Sequence, residues 1–205
     1  MTAIPGPAYH IVTQRLVLRC WNPSDAEAMQ TAIRESLEHL KPWMPWAHSE
    51  AHETLQDKIE RLRQFRDRGD DFIYGIFDPE ETRVLGGCGL HRRIGPHALE
   101  IGYWLHVDYI NRGLITEAAA ALTRVAFEVE KVERVEIHCD PANVRSAAVP
   151  RKLGYTHDAT LPRRILQLDT WRDAMIWSLF RDDFGSSPAA SAAIAAYDAA
   201  GRRIL

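Results

Sequence analysis

The chain has 205 residues, 46% of them hydrophobic and 26% charged, with a formal net charge of −3. A length below roughly 250 residues suits one domain around one core, the composition excludes a disordered or fibrous chain, and the acidic balance provides no excess of Lys and Arg for neutralising a nucleic-acid backbone. Cys20, Cys88 and Cys139 are odd in number, far apart and without metal-ligand spacing, which predicts free thiols in a reducing compartment and no metal site.

The opening MTAIPGPAYH has no basic segment followed by an apolar one, and no apolar run approaches the ~18 residues of a membrane span. A cytoplasmic protein with no membrane partner is therefore expected. Gln14 to Cys20 reads as a strand, and Asn22-Pro23-Ser24-Asp25 supplies an N-cap, an N1 proline and an acidic first turn. Ala26, Met29, Ile33, Leu37 and Leu40 then recur at helical period. Lys41 to Trp46 contains two prolines and must be a loop. A second amphipathic helix is predicted from Glu53 to Arg68, with Leu55, Ile59 and Leu62 inside and Gly69 ending it.

Three strands follow, Phe72 to Phe77, Val84 to His91 and Ala98 to His106, joined by turns into an antiparallel meander. Within the second, Gly86-Gly87-Cys88-Gly89 reads as a bulge or a close-packing site, since no helix follows it. Thr116 to Glu130 is predicted as a helix and Val135 to Cys139 as a strand, which makes a crossover. A short helix near Ser146 to Leu153 and strands at Tyr155 to Leu161 and Ala174 to Phe180 complete a domain spanning residues 1–184. Residues 185–205 are alanine-rich and read as an appended tail, a linker plus a short helix.

The segment with the most chemical content is ALEIGYWLH (98–106), the turn DYINRG, and a helix starting directly after Gly113. A helix N-terminus presents unpaired N–H groups and partial positive charge, which suits a pyrophosphate. An ordinary strand-to-helix turn would look the same locally, and both readings stand on this pattern alone.

Around this junction the chain resembles the GNAT acetyltransferases of the RimJ/RimL branch. The turn Ile110-Asn111-Arg112-Gly113-Leu114-Ile115 takes the place of their Gln/Arg-x-x-Gly-x-Gly/Ala signature, with Ile110 and Ile115 departing from it. TQRLVLRCWNPSDAEAM (13–29), HLKPWMPW (39–46), IGYWLHVDY (101–109), Asn143-Val144-Arg145-Ser146 and Leu153-Gly154-Tyr155 extend the likeness over about residues 10–184. The resemblance implies an α/β fold of the GNAT acyl-CoA N-acyltransferase type, a mixed, mostly antiparallel sheet flanked by helices. It implies acetyl-CoA as co-substrate and an amine acceptor, a peptide N-terminus or a small molecule, that attacks the thioester directly.

By the same resemblance the sheet splays after Trp104, and backbone groups of Leu105, His106 and Val107 pair with the pantetheine arm. Arg112, Gly113, Leu114, Ile115 and Thr116 surround the pyrophosphate, Asn143 reaches the pantetheine, and Ser146 protonates the departing thiol. Ser146 could equally hydrogen-bond the helix backbone. Pro150 stands where many members carry a tyrosine acid, so the acid would be Ser146, water or Tyr155. Glu100 is the expected base for the acceptor's ammonium; strand alternation places it with Gly102, Trp104 and His106 on one face, where a merely solvated glutamate is the competing reading. Trp43 and Trp46 are expected to wall the acceptor site, or else to cap the core. His91, His106 and His138 lie on strands without ligand spacing and read as satisfied core or surface histidines. A non-catalytic acyl-CoA-binding or regulatory module is the competing function, and a homodimer is left open.

Overall fold

The computed structural model describes residues 7–50, 53–68 and 71–205, with backbone alone at 49–50 and 63–68. In chain order the strands are β1 (His10–Val12), β2 (Val17–Cys20), β3 (Phe72–Phe77), β4 (Val84–His91), β5 (Ala98–Leu105), β6 (Arg134–Cys139), β7 (Thr156–Gln167), β8 (Thr170–Phe180) and β9 (Ala195–Tyr197). The helices are α1 (Ala26–Leu40), α2 (Ala47–Glu50), α3 (Leu55–Arg68), α4 (Leu114–Glu128), α5 (Val144–Lys152) and α6 (Arg181–Phe184). Among the described residues no helix is long and apolar enough to cross a membrane.

The strands form one sheet in the order β7-β8-β6-β5-β4-β3-β2-β1-β9. Every neighbouring pair is antiparallel except β5 and β6, which the α4 crossover makes parallel. One face carries α4 and α5 over Leu90, Leu99, Ile101, Val135 and Ile137. The apolar stripe of α1 lies on the other face, where Met29 and Ile33 join Trp21, Leu62 and Phe77. Alternation along each strand feeds both layers, Ile73 packing with the second and Tyr74 with the first.

Local sequence signals set most boundaries. Thr54 and Asp57 exchange bonds at the start of α3, the Asp57 N–H donating to Thr54 Oγ1 at 3.1 Å and the Thr54 N–H to the Asp57 carboxylate at 3.3 Å. Gly69, expected to end this helix, lies outside the described residues. At β4 the pairing slips between Ile76 and Phe77, opposite Gly86 and Val84, so the bulged residue is Leu85, just before the glycine run and not within it. The run itself is a close-packing site: a Cβ on Gly87 would come within 2.5 Å of Trp104 Nε1, so only glycine lets that indole lie across the sheet.

The structure revises three expectations. The first strand is a hairpin, because Thr13 turns the chain by donating its N–H to Leu16 O at 2.9 Å and accepting the Leu16 N–H on Oγ1 at 3.0 Å. β7 and β8 run well beyond the predicted Leu161 and Ala174 as a long hairpin whose outer residues are exposed on both faces, which removes the apolar alternation that marks a strand. Residues 185–205 form a 3-10 turn at Pro188–Ser191, against α4, and then β9, which pairs with β1, in place of a linker and helix.

β5 and β6 pair only at Ala98↔Arg134, Leu99↔Val135 and Glu100↔Glu136. Beyond Glu100 each strand follows its own antiparallel partner, β5 along β4 and β6 along β8, and sheet twist carries them apart. The splay thus begins after Glu100, earlier than the expected Trp104, and opens a wedge between Ile101–Leu105 and Ile137–Cys139.

Candidate active site

Two cavities meet in this wedge. One, of 490 Å³, runs along the outer part of β5 to the N-terminus of α4 and is lined by Leu105, Gly113, Leu114, Ile115, Thr116 and the start of α5. The other, of 710 Å³, lies on the opposite side beneath α1 and the Lys41–Trp46 loop. Trp43, Met44, Tyr103, Trp104, Asn143 and Ser146 line both, and so mark the passage between them.

The smaller cavity ends at the N-terminus of α4, where unpaired N–H groups favour an anion. Asn111 and Gly113 both adopt the left-handed conformation, with φ of 61° and 76°, and Gly113 is the N-cap of α4. The turn therefore aims the free N–H groups of the first helical turn at the cavity. Glu117, in that same turn, would repel an anion, but Arg15 donates to it from Nε at 2.7 Å and Thr13 from its hydroxyl at 2.6 Å. Burial pushes the Glu117 carboxyl up, and these bonds outweigh it, leaving the group below the usual carboxylate range. Arg15 also donates to Arg112 O at 2.9 Å, which ties the β1–β2 turn to the α4 entry.

Along β5 the structure leaves a different set of backbone groups unpaired from the one expected. The His106 N–H donates to Leu85 O at 2.8 Å, so alternation turns the backbone groups of Trp104 and Gly102 toward β4 and those of Ile101, Tyr103 and Leu105 toward the wedge. Of the three residues expected on this edge only Leu105 lies on it. His106 is buried, with Nε2 2.9 Å from Glu35 Oε2, and the Val107 N–H already donates to Ser36 Oγ at 3.1 Å. Arg112 does not line the cavity either; its guanidinium donates to Asp108 O at 2.7 Å and lies over the Tyr109 ring.

At the junction, Asn143 caps α5 by accepting the Ser146 N–H on Oδ1 at 3.1 Å. This leaves Ser146 Oγ for a different partner, the Tyr103 hydroxyl at 3.0 Å. Tyr103 was missed from sequence because alternation placed it on the face opposite Glu100; the wedge lets it reach across to α5. Pro150 explains part of the fit. Having no N–H, it leaves the Ser146 carbonyl without its helical donor, and the Tyr103 hydroxyl donates there at 3.3 Å. Burial pushes the Tyr103 phenol well above its ordinary range, which keeps it protonated. Tyr155 is displaced from any role as acid: its hydroxyl lies 2.7 Å from Thr123 Oγ1 under α4, away from both cavities. Burial likewise raises the Cys139 thiol, although it lines the larger cavity near Ser146. A protonated thiol is not a nucleophile.

The larger cavity is aromatic at its mouth and ionic at its floor. Trp46 packs edge-on against Trp104 at 6.1 Å, and Trp43 lies under the Arg172 guanidinium at 5.5 Å. The loop carrying them is pinned by β7 and β8, since Gln167 donates to Lys41 O and Arg172 to Pro42 O. Trp46 lines the larger cavity and also packs against the α1 core. On the floor Glu100 is buried, its side chain 8% exposed, which rules out the solvated reading. Arg93 grips both of its oxygens, Nε to Oε2 at 2.8 Å and Nη2 to Oε1 at 2.5 Å. His138 approaches from β6 with Nδ1 3.6 Å from Glu100 Oε2.

A family model described as an acetyltransferase (GNAT) domain matches residues 15–156. The [ribosomal protein uS5]-alanine N-acetyltransferase of Escherichia coli K12 is 27% identical over 183 residues, covering 87% of this chain and 94% of that protein. Among solved structures, Mycobacterium smegmatis RimJ in complex with CoA-disulfide aligns with a TM-score of 0.80 at 21% identity, over 91% of this chain and 94% of that one. The microcin C7 self-immunity acetyltransferase MccE, in complex with acetyl-CoA and AMP, aligns with a TM-score of 0.75 at 19% identity, over 82% and 93%. Both structural likenesses are of fold.

Proposed function

Because the chain belongs to the GNAT acetyltransferase family, we propose that it transfers the acetyl group of acetyl-CoA to the primary amine of a small or peptide-like acceptor by direct attack on the thioester. The observation that carries this reading is the meeting of the two cavities at Tyr103, Trp104, Asn143 and Ser146. The smaller cavity fits acetyl-CoA: the α4 N-terminus at Gly113 to Thr116 receives the pyrophosphate, and the wedge-facing backbone of Ile101, Tyr103 and Leu105 receives the pantetheine as an added strand. Asn143 borders the same arm.

The amine enters from the side of Trp43 and Trp46 and meets Glu100, a buried carboxylate suited to draw an ammonium group out of water. When the C–S bond breaks, the thiolate takes its proton from Ser146, whose hydroxyl is backed by Tyr103. This pair stands in for the helix tyrosine that Pro150 displaces. A non-catalytic acyl-CoA-binding module is the weaker reading, because it leaves the larger cavity and its ionic floor without a purpose. The three free thiols support a place in the reducing cytoplasm.

An acceptor screen that follows release of free CoA thiol tests the proposal, with acetyl-CoA binding measured by calorimetry. Turnover of any primary amine is the expected result. Binding without turnover across peptide N-termini, amino acids and small amines would favour the module, and absence of binding would reject both.

A further inference from the structure

Behind Glu100, on the strand that leaves it at the splay, lies a second carboxylate with a histidine between the two. His138 Nε2 is 2.5 Å from Glu136 Oε2, and Glu136 Oε1 is 2.6 Å from Arg134 Nε. Glu136 and His138 lie on the same face of β6, two residues apart, so the contact is built into the strand. Burial pushes the Glu136 carboxyl up, while the bond to His138 and the charge of Arg134 outweigh this and leave it below its usual range. An ionised carboxylate can only accept, so the proton of a neutral His138 ring sits on Nε2 and Nδ1 carries a bare lone pair.

That lone pair looks toward Glu100 Oε2 across 3.6 Å, too far for a hydrogen bond and with no proton between two acceptors. Both groups line the larger cavity, and the His138 side chain is 26% exposed there. Arg93 already donates to both Glu100 oxygens, whereas the Nδ1 lone pair of His138 has no donor among the described residues.

We propose that His138, oriented by Glu136, is the catalytic base of the acetyl transfer and that Glu100 is the anion that holds the acceptor's ammonium beside it. This rests on the proposed acetyltransferase reading and specifies its proton path. The ammonium donates to Glu100 Oε2 and to His138 Nδ1, and one N–H bond breaks as its proton passes to Nδ1 and then to solvent. The freed nitrogen lone pair forms the C–N bond while the C–S bond of the thioester breaks. The second proton lost from nitrogen balances the one taken up by the departing thiolate, so one proton is released per turnover.

The charged groups facing the ring are Glu136 and Arg134 along β6, Glu100 with Arg93 across the wedge, and Asp140 with Arg172 of β8 beyond. Because these surround the ring with both signs, the test compares variants within one pH series. With a peptide bearing a free N-terminal alanine as acceptor, His138→Gln should lower kcat/KM by about 10²–10⁴-fold with unchanged acetyl-CoA affinity. It should also abolish the limb of the pH–rate profile that reports a neutral imidazole. Glu136→Gln should lower kcat by at least about tenfold by releasing the ring tautomer. Turnover by His138→Gln within twofold of the parent at every pH would overturn the assignment. ¹⁵N NMR of the histidine rings in the unliganded protein supplies an arm independent of turnover. A neutral His138 protonated on Nε2, losing that preference in Glu136→Gln, supports the cradle; protonation on Nδ1 in the parent overturns it. A parent enzyme that acetylates no amine would instead count against the acetyltransferase reading, with the NMR arm still deciding the cradle.

Discussion

Tyr103 and Ser146 meet across the splayed sheet with their hydroxyl oxygens 3.0 Å apart, and a proline one helical turn beyond Ser146 makes the contact deeper by freeing the Ser146 carbonyl. The two hydroxyls come from β5 and α5 and have no other route to one another. If they act as one donor to the departing thiol, Tyr103→Phe and Ser146→Ala should each lower kcat about tenfold or more and leave acetyl-CoA affinity near the parent value. The double variant should then lose little more than the worse single one, since residues acting as a unit are not additive. Independent, multiplying losses would assign them separate roles.

Gly113 has φ of 76°, and a Cβ placed there would meet only Arg15 Nη2 at 3.6 Å. Substitution therefore acts through the backbone, at about 1–2 kcal/mol for an L residue forced into this region. Gly113→Val should weaken acetyl-CoA binding in calorimetry by rotating the α4 entry, with a small drop in Tm. Full affinity in a folded variant would remove the phosphate assignment.

Glu100→Gln keeps shape and removes charge. With the anion that holds the ammonium beside His138 gone, kcat/KM should fall about 10–100-fold at neutral pH, chiefly through the acceptor KM. Because a more basic solution supplies neutral amine unaided, part of the loss should return as pH rises, a trend that steady-state assays across pH would reveal. A variant as active as the parent throughout would show that the carboxylate serves only to pair Arg93.

Trp46 lines the larger cavity alone, whereas Trp43 lines both cavities. Trp46→Ala should raise the acceptor KM severalfold and leave the acetyl-CoA KM unchanged, while Trp43→Ala raises both. Equal effects of the two substitutions on both substrates would mean that the loop supports the core and does not read the amine.

Removing residues 193–205 deletes β9 and uncovers the edge of β1, whose His10, Ile11 and Val12 pair with Tyr197, Ala196 and Ala195. It also takes away the C-terminal groups that bond Ala196. A fall of several degrees in Tm and a greater tendency to self-associate are expected from an exposed strand edge. An unchanged melting curve would return the tail to the status of an appendage.

Local pattern alone was enough for the elements that carry strong periodicity or caps, such as α1 with its Met29 and Ile33 stripe, the β3 to β5 meander, and the Gly113 turn before α4. It also picked out Glu100, Ser146 and the two loop tryptophans, all of which line the larger cavity. Tertiary structure decided the rest, because the remaining facts are relations between segments far apart in sequence. Where β5 and β6 part depends on which neighbour each strand follows, so the wedge opened at Glu100 and the free backbone edge of β5 fell at Ile101, Tyr103 and Leu105. His138 looked like any strand histidine until the fold set Glu136 against one nitrogen and Glu100 before the other. Tyr103 became a partner of Ser146 only when the separated strands let a phenol from one face reach a helix on the far side of the gap.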